Sequence, residues 1–364
     1  MLILGIETYC DETAAALVQI ENGRFCVKSN VVLSQVKIHA RYGGVVPEVA
    51  ARKHLETIIP IIKQALGRIS PKDIDAIATT TGPGLITSLL VGIETARGLA
   101  FAWGKPFITV NHLDGHIIAN LLNCRLQIAD CRLPALALVV SGGHTELILM
   151  KDFGKYKIIG ETLDDAVGEA FDKVAKILGL GYPGGHAVDR MAEQFNLECR
   201  IQNAEYKLNS AICNLQSAFS LPRPMLNSPD FNFSFSGLKT AVLYLVQKLS
   251  DDERKKLTPT ICAEFQNAAA EVLVKKTIAA AKKFKVKNIF LAGGVAANCH
   301  LRESLGQAIH DNLIGIGYFV PELKYTGDNA AMIAAAGYFK YLKKDFADLE
   351  KLDAKPNWRI DEHC

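Results

Sequence analysis

The sequence has no CxxC pair, although nine cysteines are spread from Cys10 to Cys364. An odd number without paired spacing argues against a disulfide scaffold or a thiolate zinc site and for free thiols in a reducing compartment. No run approaches eighteen consecutive apolar residues, so no membrane span is expected. No basic segment followed by a long apolar stretch precedes Leu2-Ile3-Leu4-Gly5-Ile6, so neither a signal nor a transit peptide is expected, and the expected location is the cytoplasm. There is no G-x-x-x-x-G-K-[ST], which excludes a P-loop ATPase on motif grounds. Charge of one sign is also scarce. A net charge of +3 is weaker than that of many dedicated nucleic-acid domains, so the balance by itself does not reveal a nucleic-acid partner.

What is present describes a globular chain: 49% hydrophobic and 22% charged residues over 364 positions. That length exceeds one ordinary core, so two domains are expected. Leu2–Glu7, Thr13–Ile20 and Cys26–Leu33 read as strands, and Val49–Leu66 as a helix with Leu55, Ile58, Ile59, Ile62 and Leu66 at helical spacing. Strand Ile74–Thr79, a Gly82-Pro83-Gly84 turn, a helix to Trp103 and strand Phe107–Val110 follow. After Pro134 the pattern restarts with strands Ala135–Val140, His144–Met150 and Tyr156–Thr162. Strand Asn288–Ala292 then runs into Gly293-Gly294 and a helix, and strand Ile316–Val320 precedes a helix from Asp328 to Leu342.

Strand–turn–strand and strand–glycine–helix units thus each occur twice, the expected mark of a duplicated α/β lobe around a cleft, although α/β chains repeat such units in any case. The expected division is 1–133 for the first lobe, 134–345 for the second and 346–364 for a tail. A stretch of about 195–257, with Pro222, Pro224 and Pro229, interrupts the second lobe as an expected helical insertion, either a partner surface or a plain elaboration.

His112-Leu113-Asp114-Gly115-His116 carries the sharpest chemistry. Histidines four apart share one helical face and can hold one metal ion, although a bare spacing of four also arises by chance on a surface. The pair follows a strand end, where α/β folds place ligands, and Gly115 implies a close approach. A carboxylate should complete the set. Asp328 is the best candidate, although an aspartate at a helix start is also a common cap. Two histidines and one carboxylate with open positions suit iron(II), with zinc or manganese as rivals. A zinc peptidase would need a glutamate beside the first histidine, and Leu113 stands there.

Gly179-Leu180-Gly181-Tyr182-Pro183-Gly184 formally matches G-x-G-x-x-G but follows a helix, which is the wrong context for a dinucleotide fold. The Ser141-Gly142-Gly143 and Gly293-Gly294 turns leave apolar strands and offer backbone amides to an anion. The acidic turn Asp11-Glu12 either organises a cation or an attacking amine, or is a solvated hairpin. The lysine runs Lys275-Lys276 and Lys282 to Lys287 read most simply as solvated helix faces.

Several segments together resemble the TsaD family of tRNA adenosine threonylcarbamoyltransferases. They are Gly5 to Thr8 with Cys10 to Thr13, His112 to His116, Ser141 to Thr145, Gly168 to Lys173, Tyr182 to Gly185, Phe233 to Thr240, Gly293 to Asn298, and Asp328-Asn329-Ala330. The resemblance runs from Leu2 to about Leu342. It implies an actin-like, sugar-kinase-like (ASKHA) α/β fold of two duplicated lobes. The implied reaction passes threonylcarbamoyl from threonylcarbamoyl-AMP to the exocyclic amine of the adenosine after the tRNA anticodon, releasing AMP.

His112, His116 and Asp328 match the family's metal ligands, usually iron. Val139, Val140, Ser141, Gly142, Gly143, Asp172, Gly185, Asp189 and Asn298 match substrate-binding positions, and Asp11 and Glu12 match an acidic turn important for catalysis. Implied partners are tRNA, a TsaB-like paralogue and a TsaE-like ATPase. Tyr9, Asp114, His186 and Gly327 depart from residues common in the family. A kinase or ATPase of the same fold, or a non-catalytic scaffold paralogue, is the alternative.

Overall fold

The computed structural model describes residues 1–123, 126–206, 220–351 and 353–362, so Cys364 and residues 207–219 of the expected insertion lie outside the described residues. Among the described residues, ten strands form two five-stranded sheets. The first contains β1 (Leu2–Glu7), β2 (Glu12–Glu21), β3 (Arg24–Ser34), β4 (Ala76–Gly82) and β5 (Phe107–Asn111), in the order β3-β2-β1-β4-β5. The second contains β6 (Ala135–Val140), β7 (Thr145–Asp152), β8 (Lys155–Glu161), β9 (Asn288–Ala292) and β10 (Gly317–Phe319), in the order β10-β9-β6-β7-β8. Both orders describe one pattern. The first three strands of each sheet form an antiparallel meander, and the fourth and fifth add in parallel beside the first.

Helices cover both faces of each sheet, so inner strands such as β4, β6 and β9 are apolar on both sides. In β6, Leu136, Leu138 and Val140 face one hydrophobic core, while Ala135, Ala137 and Val139 face another. Outside the first sheet lie α2 (Pro47–Leu66) and α3 (Ile86–Trp103), packed on Leu4, Ile6, Leu17 and Ile77. A single turn, α1 (Val36–His39), precedes them. On α2, Ile58 and Ile62 are buried, whereas Leu55 and Ile59 remain exposed. Outside the second sheet lie α5 (Val167–Leu178), α6 (Gly184–Tyr206), α7 (Ser236–Val246), α8 (Asp251–Phe284) and α9 (Cys299–Asn312). Residues of all five contribute to its core.

The layer between the sheets positions the site. It contains α4 (His112–Ile118) and α10 (Ala330–Leu342), joined in one core to alanines and branched residues of both sheets. Small residues bring these backbones close together. A Cβ on Gly5 of β1 would collide with the Ala330 carbonyl oxygen at the first turn of α10, so only glycine fits there.

Three elements differ from the sequence reading. The expected insertion end at Leu257 falls inside α8, a single 34-residue helix that starts at a Ser250/Glu253 capping box. Gly293-Gly294 does not open an α-helix directly. Gly294–Ala297 forms a short 3-10 turn, and Asn298 caps α9. Helix α10, read with the second lobe, packs against β1, β2 and β4 of the first sheet. The tail returns across both sheets. Lys355 donates its amide to the Thr81 carbonyl at 2.7 Å, and Arg359 pairs with Glu161 of β8 at 3.2 Å.

Candidate metal centre and adjoining pocket

Asn111 ends β5 and starts α4, because its side chain accepts the Leu113 amide at 2.9 Å. That cap fixes the helical phase, so His112 and His116 lie one turn apart and both are only 2% exposed. Their rings meet nearly edge to face, with centroids 4.6 Å apart. Asp328 comes from the segment before α10. It is not the helix cap: Asn329 takes that role by accepting the Met332 amide at 3.1 Å. The Asp328 carboxylate therefore stays available. Its Oδ1 lies 3.0 Å from His116 Nε2 and 3.4 Å from His112 Nε2. One donor atom from each of the three residues falls within 4.8 Å of the others.

Glu7, fully buried at the end of β1, holds the outer side of His112. Its Oε2 lies 3.2 Å from His112 Nδ1 and accepts from Thr80 Oγ1 at 2.7 Å, while its Oε1 accepts the Thr8 amide at 2.9 Å. A carboxylate on Nδ1 keeps the proton there and leaves Nε2 as the free donor, the arrangement common to histidine metal ligands. Two imidazole nitrogens and one carboxylate oxygen, converging with Glu7 behind His112, fit a divalent ion. Without an ion the charges settle differently. Burial disfavours a charged His112, yet Asp328 and Glu7 outweigh burial and raise its pKa to about 9. Burial lowers that of His116. Burial alone would raise Asp328, but the two histidines hold it well below the usual carboxylate range.

Gly115 belongs to the contact between α4 and α10, as a Cβ there would lie 2.8 Å from Ile333 Cδ1. The expected close approach is thus to the helix that follows Asp328. Asp114 points away from the histidines and accepts from the buried Tyr156 hydroxyl. Burial raises its pKa to about 6. A peptidase base beside His112 is therefore absent among the described residues.

The acidic turn lies close to the same centre. Burial raises both Asp11 and Glu12, and each feels the charge of Asp328. Ser34 donates to Glu12 at 2.8 Å, while Asp11 Oδ2 is buried without a partner. His54 braces the turn from below, with Nε2 3.2 Å from the Cys10 carbonyl and Nδ1 2.8 Å from Thr13 Oγ1. Tyr9 stacks on His112 at 3.6 Å between centroids, 9° from parallel.

A pocket on the second sheet is lined by Gly142, Phe171, Asp172, Gly185, Asp189 and Asn298 among others, five of them substrate positions expected from the sequence. Asp172 Oδ1 accepts the Gly184 amide at 2.7 Å and so orders the start of α6. Asn298 donates at 2.9 Å to both Asp189 Oδ1 and Gln266 Oε1 while its own oxygen caps α9. Ser141 and Gly143 occupy the turn between β6 and β7, where Ser141 Oγ accepts the Gly143 and His144 amides. Val139 and Val140 are different. Both side chains are fully buried in the cores on either face of β6, which leaves only their backbone for a ligand.

Sequence reasoning assigned no role to Glu7, His144 or Gln266. A glutamate ending an apolar strand was the available signal for Glu7. Burial lowers the His144 pKa to about 4, with further depression from the nearby His112 and His116. Gln266 sits mid-helix without any local mark.

Fold and site together define an α/β protein with a buried two-histidine, one-carboxylate donor set beside a glycine-rich pocket. The family model described as "TsaD: tRNA N6-adenosine threonylcarbamoyltransferase" matches residues 26–335. A protein of that name from Thermosipho africanus is 46% identical over 99% of this chain and 100% of its own length. Another from Bacillus subtilis is 47% identical over 94% of this chain and 91% of its own. HypF from T. kodakarensis superposes with a TM-score of 0.50 over 94% of this chain and 48% of that one, at 16% identity, a likeness of fold alone. The chain belongs to the tRNA N6-adenosine threonylcarbamoyltransferase (TsaD) family, whose members are tRNA-modifying acyltransferases. No helix among the described residues is long and apolar enough to cross a membrane.

Proposed function

We propose that the chain transfers threonylcarbamoyl from threonylcarbamoyl-AMP to the exocyclic amine of the adenosine beside the anticodon, in tRNAs reading codons that begin with adenine, and releases AMP. The convergence of His112, His116 and Asp328, with Tyr9 stacked on His112 and its hydroxyl 3.9 Å from where a Cβ on Gly143 would lie, carries this reading. The matching strand orders of the two sheets support a duplicated, actin-like fold with the reaction between its lobes.

His112, His116 and Asp328 would hold iron(II), with zinc and manganese as rivals for the same donors. Bound there, such an ion would supply Lewis acidity for the acyl transfer. Backbone amides of the Ser141–Gly143 and Gly293–Gly294 turns receive phosphate, and Asp172 and Asp189 accept hydroxyls of the donor's ribose or threonyl group. Asn298 holds Asp189 in place. As the amine nitrogen bonds to the carbamoyl carbon, the carbon–oxygen bond to AMP breaks and the amine loses a proton. Asp11, near Asp328, is suited to take that proton, while Glu12, raised by burial to about 10, already holds one and orients the amine. A TsaB-like paralogue, a TsaE-like ATPase and a cytoplasmic setting complete the proposal.

The test is to incubate the chain with its partners, tRNA and threonylcarbamoyl-AMP and to weigh the resulting nucleosides. His112→Ala should lose bound metal and modification together. Modification at the normal rate by that variant would remove the centre from the mechanism.

A further inference from the structure

The second sheet ends, opposite the glycine turns, in a surface with an excess of positive charge. Lys155 and Lys157 flank buried Tyr156 on β8 and so project to one face. Lys151 on the neighbouring β7 is also exposed. On the same side a groove is lined by Lys157, Phe231, Lys283 and Phe284, with Lys283 Nζ 5.1 Å from the Phe231 ring centroid. Beyond the end of α8, Lys285 and Lys287 are exposed, and the Lys287 amide donates to Pro134 just before β6. None of these six lysines forms an ion pair with another described residue.

Asp152 and Asp230 in this region are hydrogen-bonded locally. Asp152 accepts the Phe153 amide, and Asp230 accepts from Ser228 and the Asn232 amide and lies 3.5 Å from Lys276. Asp230 is offset by Lys276 and Asp152 keeps its negative charge, so the six unpaired lysines still outnumber the carboxylates here, in a chain whose whole net charge is +3. The lysine runs that look alike in the sequence also separate here. Lys275 pairs with Glu271, and Lys276 is buried on Ser228 and the Asp230 carbonyl, whereas Lys283, Lys285 and Lys287 join lysines from a distant hairpin.

We propose that this lysine-rich end of the second sheet is an RNA-docking surface that grips the phosphate backbone of tRNA away from the modified loop. The proposal rests on tRNA being the substrate, as read above. Like charges left unpaired around the half-buried edges of Phe231 and Phe284 match a polyanion with stackable bases and resist an apolar partner. β6 links the surface to the Ser141–Gly143 turn over six residues, roughly 20 Å at 3.3 Å each. A folded tRNA spans that separation with one loop nucleotide at the pocket.

The test combines Lys157→Ala, Lys283→Ala, Lys285→Ala and Lys287→Ala in the full chain, with a matching set of Lys→Arg changes as the charge-preserving control. Direct binding of full-length tRNA is measured across a salt series, separately from modification. Loss of four phosphate contacts should weaken binding at least about tenfold at moderate salt and reduce the log–log salt slope by roughly 3. The arginine set should bind as the unaltered chain does, and kcat at saturating tRNA should hold.

Unchanged affinity and slope in the alanine set would overturn the proposal while leaving the transfer reaction standing. So would lost binding to an acidic protein partner without any loss of tRNA binding, or failure of the unaltered chain to bind tRNA. An unaltered chain that binds tRNA through these lysines but does not transfer would instead sink the proposed reaction and keep this surface.

Discussion

At the residue scale the metal-type centre depends on what lies behind its donors. Glu7 orients His112 from the side away from the ion, so Glu7→Gln should leave the fold intact and lower metal affinity by about ten- to a hundredfold. Metal titration of the purified variant reads this directly, and an unchanged affinity would show that the carboxylate has no part in ordering the ring. Asp114 makes a second prediction. Its folded pKa of about 6 exceeds the ordinary 3.8, so between those values the folded chain binds more protons than the unfolded one. Stability should therefore fall as pH rises through this window, by up to about 3 kcal/mol. Asp114→Asn keeps an acceptor for Tyr156 and should flatten that part of the pH profile in urea unfolding.

The histidine spacing was legible in the chain itself, since a four-residue interval means one face wherever a helix forms. The role of Asp328 was less so. An aspartate near a helix start reads as a cap, and only the neighbouring Asn329, which takes the cap, shows that Asp328 is spare.

At the scale of elements, α10 decides whether the centre exists. It brings Asp328 to α4 because β1 has no side chain at Gly5 to hold it off. Gly5→Ala should cost about 3 kcal/mol by overpacking and should weaken metal binding as well, since backbone at Ala330 cannot yield as a side chain can. Thermal unfolding together with metal titration would separate the two effects, and a normal melting temperature would refute the packing argument. The inner strands read closely from their apolar runs, because both of their faces are covered and their runs are unbroken. The 195–257 segment reads as a helical insertion and its second part is helical, but α8 continues far beyond the expected boundary, because Leu257 lies inside a helix that starts at the Ser250 cap.

At the scale of the whole molecule the tail joins parts that the sequence separates. Buried Trp358 packs beside Lys340 and Lys355, and its carbonyl accepts from Asn111, the cap of the histidine helix. Trp358→Ala should cost about 3–5 kcal/mol. It should also loosen the start of α4, seen as faster hydrogen exchange at Leu113. Exchange there equal to that of the unaltered chain would confine the tail to a peripheral role.

The order of strands, the helical phase of His112 and His116, and the glycine turns follow from local rules of period, steric freedom and capping, which is why the linear chain revealed them. Bringing Asp328 to those histidines, placing Glu7 behind one of them and gathering lysines from β8 and the end of α8 all depend on segments far apart in the chain. Such contacts are set by which faces the two sheets and the layer between them bury together, and no short stretch of residues contains that information.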